Sequence, residues 1–180
     1  MLIDADPQKS SMDWASVRQG ERKFNVVSLP TSTIHKEVEL LKPNYDYIII
    51  DAPGNLSNVT RSVIVASDKI VIPVLPSPYD IWAADDIITA IKDVKEIASN
   101  INPKVYFLIN QKIANTTLAK DALESLQSYN IEVLNTEIYR RMIFAKTANI
   151  GDSVFDTPKE NIAALEIQSL TKEITHGTNA

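Results

Sequence analysis

An α/β fold, built on a doubly wound and mostly parallel sheet flanked by helices, is what the sequence predicts. Two observations carry this. Short runs rich in isoleucine and valine recur without the polar alternation of a half-exposed strand, as in a sheet covered on both faces. Between them lie apolar residues at helical spacing, so that strand and helix alternate along the chain. At 180 residues, 44% hydrophobic and 23% charged, the chain fits one compact domain, residues 1–180, because domains run to roughly 100–200 residues.

In chain order, residues 2–4 form the first buried strand and end in carboxylates at Asp4 and Asp6. Residues 24–29 are a weaker strand candidate. Ile34, Val38 and Leu41 repeat at helical spacing after the polar start Thr31, Ser32 and Thr33. Residues 47–51, 69–75 and 105–110 are the next buried strands, and 131–134 a second weak one. Ile81, Ala84, Ile88, Ile91, Val94 and Ala98 mark a long helix that must stop before Pro103. Leu118, Ala122 and Leu126 mark another. The last helix has a capping box, Thr157-Pro158-Lys159-Glu160, with proline at the first helical position, followed by the stripe Ile162, Leu165, Leu170 and Ile174.

Composition excludes several chemistries. The chain has no cysteine, hence no disulfide or thiolate metal site, and its two histidines, His35 and His176, form no ligand cluster. A metal would be held by oxygen. The longest apolar runs fall far short of the roughly 20 residues of a bilayer span, and no signal peptide is recognisable, so the expected compartment is the cytoplasm. A net charge of -5 argues against a broadly basic nucleic-acid surface, though not against a local patch.

The carboxylates point to chemistry. Asp4 and Asp6 are two apart, so both project to one side if the strand stays extended that far. Asp51 closes the apolar run Tyr47-Ile48-Ile49-Ile50 and precedes Ala52-Pro53-Gly54. An apolar strand ending in aspartate is the Walker B pattern, whose carboxylate holds the magnesium of a bound nucleotide. Aspartate at a strand end is equally a turn former or helix cap. Two such strand ends favour a shared acidic site, because clustered carboxylates repel unless a cation sits between them. A phosphoacceptor receiver domain also has an acidic pair at one strand end and an aspartate at another. Here, however, Ile72-Pro73-Val74-Leu75-Pro76 gives no hydroxyl residue where a receiver needs one, and residues 131–180 are surplus.

Longer strings decide between these. Ile3-Asp4-Ala5-Asp6-Pro7-Gln8, followed by Ser11-Met12-Asp13-Trp14-Ala15, resembles the A-prime motif and following helix of the ParA/MinD family of deviant Walker-type partition ATPases. Tyr45-Asp46-Tyr47-Ile48-Ile49-Ile50-Asp51-Ala52-Pro53 resembles that family's Walker B segment. Ser67-Asp68 leading to Ile72-Pro73-Val74-Leu75-Pro76-Ser77-Pro78-Tyr79-Asp80-Ile81-Trp82-Ala83 is the most specific match, and is similar to small plasmid-segregating ParA proteins.

The resemblance implies a P-loop NTPase type of fold and an ATPase using ATP and Mg2+. It also implies a homodimer that positions plasmid or chromosomal DNA with a ParB-like centromere-binding partner, on the nucleoid and away from membranes. It gives Asp6 the role of orienting the attacking water, Asp51 and Asp4 the magnesium, and Asn110 a contact to adenine, where an ordinary turn residue is the alternative. Tyr79 and Trp82 fall near the family's dimer face, or are core aromatics at a helix start. Arg140 and Arg141 fall where the family meets DNA nonspecifically.

One departure stands out. The only glycines are Gly20, Gly54, Gly151 and Gly177, none in a Gly-Lys-Thr or Gly-Lys-Ser string, so the family's Walker A loop has no counterpart. The match starts abruptly at Met1, and the expectation is an N-terminal truncation lacking the first strand, loop and helix. It predicts very weak ATP binding and no meaningful hydrolysis and, where the family's first strand lies beside the Walker B strand, one of three outcomes among which the sequence does not choose: solvent-exposed Ile48 and Ile50, strand exchange between chains, or aggregation. A catalytically silent interaction module is the alternative function. The C-terminal helix lacks the basic face of a membrane-surface helix, and its stripe is expected to pack on the sheet.

Overall fold

A computed structural model describes residues 1–114, 116, 118–157 and 161–177, with residues 118–120 as backbone only. Its contacts gather into two compact units. The first comprises residues 1–68, 87–103 and 149–151, and the second residues 69–86, 104–148 and 152–180.

The first unit is built on a parallel three-stranded sheet. Strands β1 (Leu2–Asp4), β2 (Val26–Ser28) and β3 (Ile49–Asp51) lie in the order β2-β1-β3. Helices α1 (Ser10–Val17), α2 (Ile34–Leu41) and α3 (Asn58–Ala66) follow the three strands. Ile3, Ala5, Ile34, Val38, Val63 and Ala66 form the buried core, with Val27, Ile48 and Ile50 packed against it. Helix α3 has no long apolar period to announce it. Its signal is local: Ser57 and Thr60 cap reciprocally, the Ser57 hydroxyl accepting from Thr60 N and the Thr60 hydroxyl accepting from Ser57 N.

β3 is an edge of this sheet, and the exposed isoleucine there is Ile49, 65% accessible. The expectation for Ile48 and Ile50 is therefore corrected. Side chains alternate along a strand, and β3 turns its even positions onto the α2 core.

The second unit holds a second parallel sheet in the order β4-β5-β6, from β4 (Lys69–Val74), β5 (Lys104–Ile109) and β6 (Glu132–Val133). Helix α5 (Leu118–Leu126) joins β5 to β6, and α6 (Met142–Ala148) and α7 (Ile162–His176) follow. Helix α4 (Pro78–Ile97) begins in this unit and ends in the first. Tyr106, Leu108, Leu134 and Ile138 are buried beneath Phe144, Ile167, Leu170 and Ile174, so α7 packs on the sheet as expected.

The face α7 buries is not quite the expected one. Ile162 and Leu165 are exposed at 57% and 55%, whereas Ala163 is fully buried. A shift of one residue rotates a helix face by about 100°, and the face holding Ala163, Leu170 and Glu173 is the inner one. The capping box at residues 157–160 falls largely outside the described residues. Within them, the N-cap of α7 is Asn161, whose side chain accepts from Ala163 N at 3.0 Å.

Glu173 shows why a carboxylate belongs on that inner face. Its oxygens accept from Asn135 N at 2.6 Å and Thr136 N at 2.9 Å, satisfying the backbone just after β6. Burial pushes its pKa up, but the hydrogen bonds from Thr136 and Asn135 outweigh this and hold it below the ordinary value of 4.5. A depressed carboxyl pKa stabilises the fold above the unfolded value, and that stability is lost as pH falls through the folded one. Glu173→Gln is expected to cost about 1–3 kcal/mol at neutral pH and to flatten acid unfolding below the ordinary carboxyl range. Urea titrations at neutral pH and in mild acid check both.

Candidate functional site

Strand register assembles the site. Asp4 on β1 lies directly between Ser28 on β2 and Asp51 on β3, so three oxygen-bearing side chains form one row at the carboxyl ends of a parallel sheet. That is where open α/β sheets bind ligands. The backbone of the row is tied across, with Ala5 N donating to Asp51 O at 2.9 Å and Leu29 N to Asp4 O at 2.8 Å.

Asp4 and Asp6 do different work, contrary to the expectation that both face one side. The strand ends at Asp4, and Asp6 falls in the following turn. Asp4 is fully buried. Its Oδ2 accepts from Met12 N at 2.8 Å and its Oδ1 from Asp6 N at 3.2 Å. Helix α1 has Lys9 as N-cap, in a left-handed conformation and without a side-chain capping bond, so the Asp4 carboxylate supplies from β1 the negative cap that the helix start lacks. Asp6 is half-buried, and its Oδ1 accepts from Gln8 N at 2.8 Å, shaping the turn while leaving the group reachable.

Asp51 is held from the same helix. Ser11 donates its hydroxyl to Asp51 Oδ2 at 2.7 Å. Thus α1 is clamped to both strand ends, by a backbone N–H to Asp4 and a side-chain hydroxyl to Asp51. No local pattern marks Ser11 for this role, since it stands 40 residues from its partner. Beside the pair, Ser28 Oγ is buried with no hydrogen-bond partner.

What this set can hold follows from its donors. No three carboxylate or imidazole groups gather to hold a metal ion among the described residues. Magnesium in phosphate sites takes one or two carboxylates and fills its other positions with phosphates and water. Asp51 with Ser11 suits such a phosphate-borne ion. Phosphates themselves need N–H donors and positive charge. Here the first-turn N–H of Met12 is spent on Asp4, and the chain has no Gly-Lys-Thr or Gly-Lys-Ser loop. The residues fit the metal's carboxylate and not the phosphate cradle.

The remaining predicted residues belong to the second unit. Asn110 directly follows β5, and its Oδ1 accepts from Gln111 N at 3.0 Å, where Gln111 turns the chain with a φ of 51°. Arg140 is exposed. Arg141 is engaged, its Nε and Nη2 donating to Glu166 Oε1 at 3.1 and 2.6 Å while its guanidinium lies over the Tyr139 ring. Lys112 approaches the same ring and pairs with Glu137. Tyr79 and Trp82 are 77% and 63% exposed, which removes the core-aromatic alternative for them.

A family model described as an AAA domain, AAA_31, matches residues 10–107, more than half of the chain and including the Asp51 strand. This chain belongs to the ParA/MinD family of partition ATPases. The chain is 29% identical to the maintenance of carboxysome distribution protein A of Halothiobacillus neapolitanus, over 96% of this chain and 81% of that protein. It is 26% identical to the virulence plasmid ParA family protein pGP5-D of Chlamydia muridarum, over 86% of this chain and 58% of that protein. The chain spans between 52% and 58% of the length of several such relatives. The MinC:MinD cell division complex of Aquifex aeolicus contains a chain of the same fold, with a TM-score of 0.71, 20% identity and coverage of 99% of this chain and 84% of that one. In this ParA/MinD member the helix-flanked parallel sheets are thus the family's architecture, and membership replaces the receiver reading of Asp51. No helix among the described residues is long and apolar enough to cross a membrane.

Proposed function

We propose that this chain is a ParA-like positioning protein, of the kind that partitions plasmid or chromosomal DNA through ATP-dependent dimerisation with a centromere-binding partner. The observation that carries the reading is the register of Asp4 and Asp51 at neighbouring strand ends, clamped by α1 through Met12 and Ser11. In this reading Asp51 serves the magnesium and Asp6, reachable in its turn, orients the attacking water. Asp4, to which the resemblance gives a part in the magnesium shell, is buried with both oxygens bonded to backbone, and in this reading supports that shell by holding the loop between them. Asn110 is assigned to adenine, and Arg140 to nonspecific DNA ahead of Arg141, whose charge Glu166 already answers.

The 180-residue polypeptide is proposed to hold ATP very weakly, because Asp51 and the half-buried Asp6 put negative charge beside an anionic ligand, with no glycine loop or loop lysine to offset them. The catalytically silent interaction module rests on that same feature. Titration with a fluorescent ATP analogue and magnesium, competed with plain ATP, tests both. No competable binding up to about 1 mM, roughly 4 kcal/mol of binding free energy, is expected. Micromolar competable binding would show that the phosphates are held without a glycine loop and sink the proposal.

A further inference from the structure

Strand β3 is an edge of the first unit's sheet, and its hydrogen bonds fix which of its backbone groups lie on the open side. The backbone of alternate residues turns to opposite sides of a strand. Tyr47 O accepts from Met1 N, Ile49 N donates to Met1 O and Asp51 O accepts from Ala5 N, each at 2.9 Å. Residues 47, 49 and 51 are therefore turned toward β1, and the N–H and C=O groups of Ile48 and Ile50 point away from the sheet. Among the described residues no strand pairs with that outer side.

Open edges are ordinarily blunted by charge, proline or brevity. In the second unit, β4 begins at Lys69 and contains Pro73, both exposed, and β6 is short. The run Tyr47-Ile48-Ile49-Ile50 contains no charged residue, proline or glycine. Its Ile48 and Ile50 side chains pack on the core, while Tyr47 and Ile49 share the other face and are both exposed. Unpaired backbone and exposed apolar surface thus coincide on one segment. Charge decides how a second copy suits it, since Asp46 and Asp51 bracket the run. A parallel copy in register would set each carboxylate beside its own counterpart. An antiparallel copy with Ile48 opposite Ile50 sets Asp51 opposite Tyr47 and Asp46 opposite Ala52, so that no two carboxylates face each other.

We propose that β3 pairs with β3 of a second copy of this chain, antiparallel about a two-fold axis at Ile49. The outward backbone groups belong to Ile48 and Ile50, so Ile48 of one copy and Ile50 of the other form hydrogen-bonded pairs, each exchanging both of its N–H···O bonds. Ile49 then stands opposite Ile49 of the second copy as a non-hydrogen-bonded pair, with Cα atoms about 4.5 Å apart. Tyr47 of each copy lies on the diagonal to Ile49 of the other, within reach of an aromatic side chain. The exposed apolar faces meet side by side. The contact is isologous and closes at two chains. It makes no use of nucleotide, so it stands or falls apart from the ATP reading.

The test uses the full chain without nucleotide or magnesium. Sedimentation velocity over a range of concentrations should show a monomer in exchange with a dimer and nothing larger. Ile49→Lys sets two like charges opposite each other across the axis and should weaken the dimer about tenfold. Ile49 is exposed, and unchanged circular dichroism would establish that the variant remains folded. Leu40→Lys, at an exposed apolar position on α2, makes the same change of charge and should leave the dimer within about twofold. Cross-linking reads the register separately. The chain has no cysteine, so Ile49→Cys gives each copy a single thiol, and a Cα separation of about 4.5 Å lies within the span of a disulfide. Mild oxidation should yield a covalent dimer from Ile49→Cys and none from Leu40→Cys. A monomer at every concentration, equal weakening by Ile49→Lys and Leu40→Lys, or equal cross-linking of Ile49→Cys and Leu40→Cys would overturn the proposal. So would species larger than a dimer, because open-ended growth requires a heterologous contact.

Discussion

Asp4→Ala is expected to destabilise the protein by roughly 3–5 kcal/mol, the largest effect of any carboxylate substitution in the chain. Asp4 is fully buried and accepts from two backbone donors, Asp6 N and Met12 N. Removing its carboxylate strands both N–H groups and leaves the start of α1 without a cap. A loss of this size is a large part of the roughly 5–15 kcal/mol that holds a domain together, so partial unfolding at ambient temperature is expected. Asp6→Ala is the control. It removes one bond, to the exposed Gln8 N, and should cost about 1 kcal/mol or less. Urea denaturation followed by circular dichroism, without nucleotide or metal, measures both. If the two variants differed by less than about 1 kcal/mol, Asp4 would not be the residue that organises this loop.

Gly151→Ala is expected to cost roughly 2–5 kcal/mol, by joining two independent penalties. Gly151 has a φ of 71°, in the left-handed region, where any Cβ is strained. A Cβ there would also lie 2.5 Å from Arg18 N, 2.6 Å from Arg18 Cα and 2.7 Å from Trp14 O, all backbone atoms of α1 or its C-cap. Backbone cannot swing aside as a side chain can. The close approach lets Arg18 donate from Nη1 to Gly151 O at 2.9 Å, so the loop at 149–151 is fastened to the far end of the helix that Asp4 and Asp51 hold at its start. Gly177→Ala separates the two penalties. Its φ is 94° but a Cβ would meet nothing within 4 Å, so only the conformational part, about 1–2 kcal/mol, should appear. Equal effects at Gly151 and Gly177 would mean that the loop yields and that the contact with α1 is not tight.

Much of the fold was legible because its signals are local. The apolar runs at 2–4, 69–75 and 105–110 became β1, β4 and β5, and both weak runs became strands. Burial on two faces writes itself into consecutive residues. Helices α3 and α6 were passed over, since a nine-residue and a seven-residue helix offer barely two turns of periodicity. For the site, the string from Ile3 to Gln8 and the run ending at Asp51 were visible as motifs, whereas Ser11 and the orphan hydroxyl of Ser28 were not.

The sequence alone determined the alternation of strand and helix, the parallel sheet, the family, and which strand ends bear carboxylates, because each depends on neighbours within a few residues. Only the tertiary structure decided what each carboxylate does. Asp4 and Asp6 are two residues apart, yet one is sealed onto the backbone of α1 and the other is half open. Glu173 and Glu166 sit on a helix as polar residues that sequence pattern assigns to solvent, but one closes the backbone after β6 and the other holds Arg141. These outcomes turn on partners 8, 38 and 25 residues away. A hydrogen bond forms between groups that folding brings together, and the local pattern of a chain specifies its elements without specifying which of their polar groups will meet.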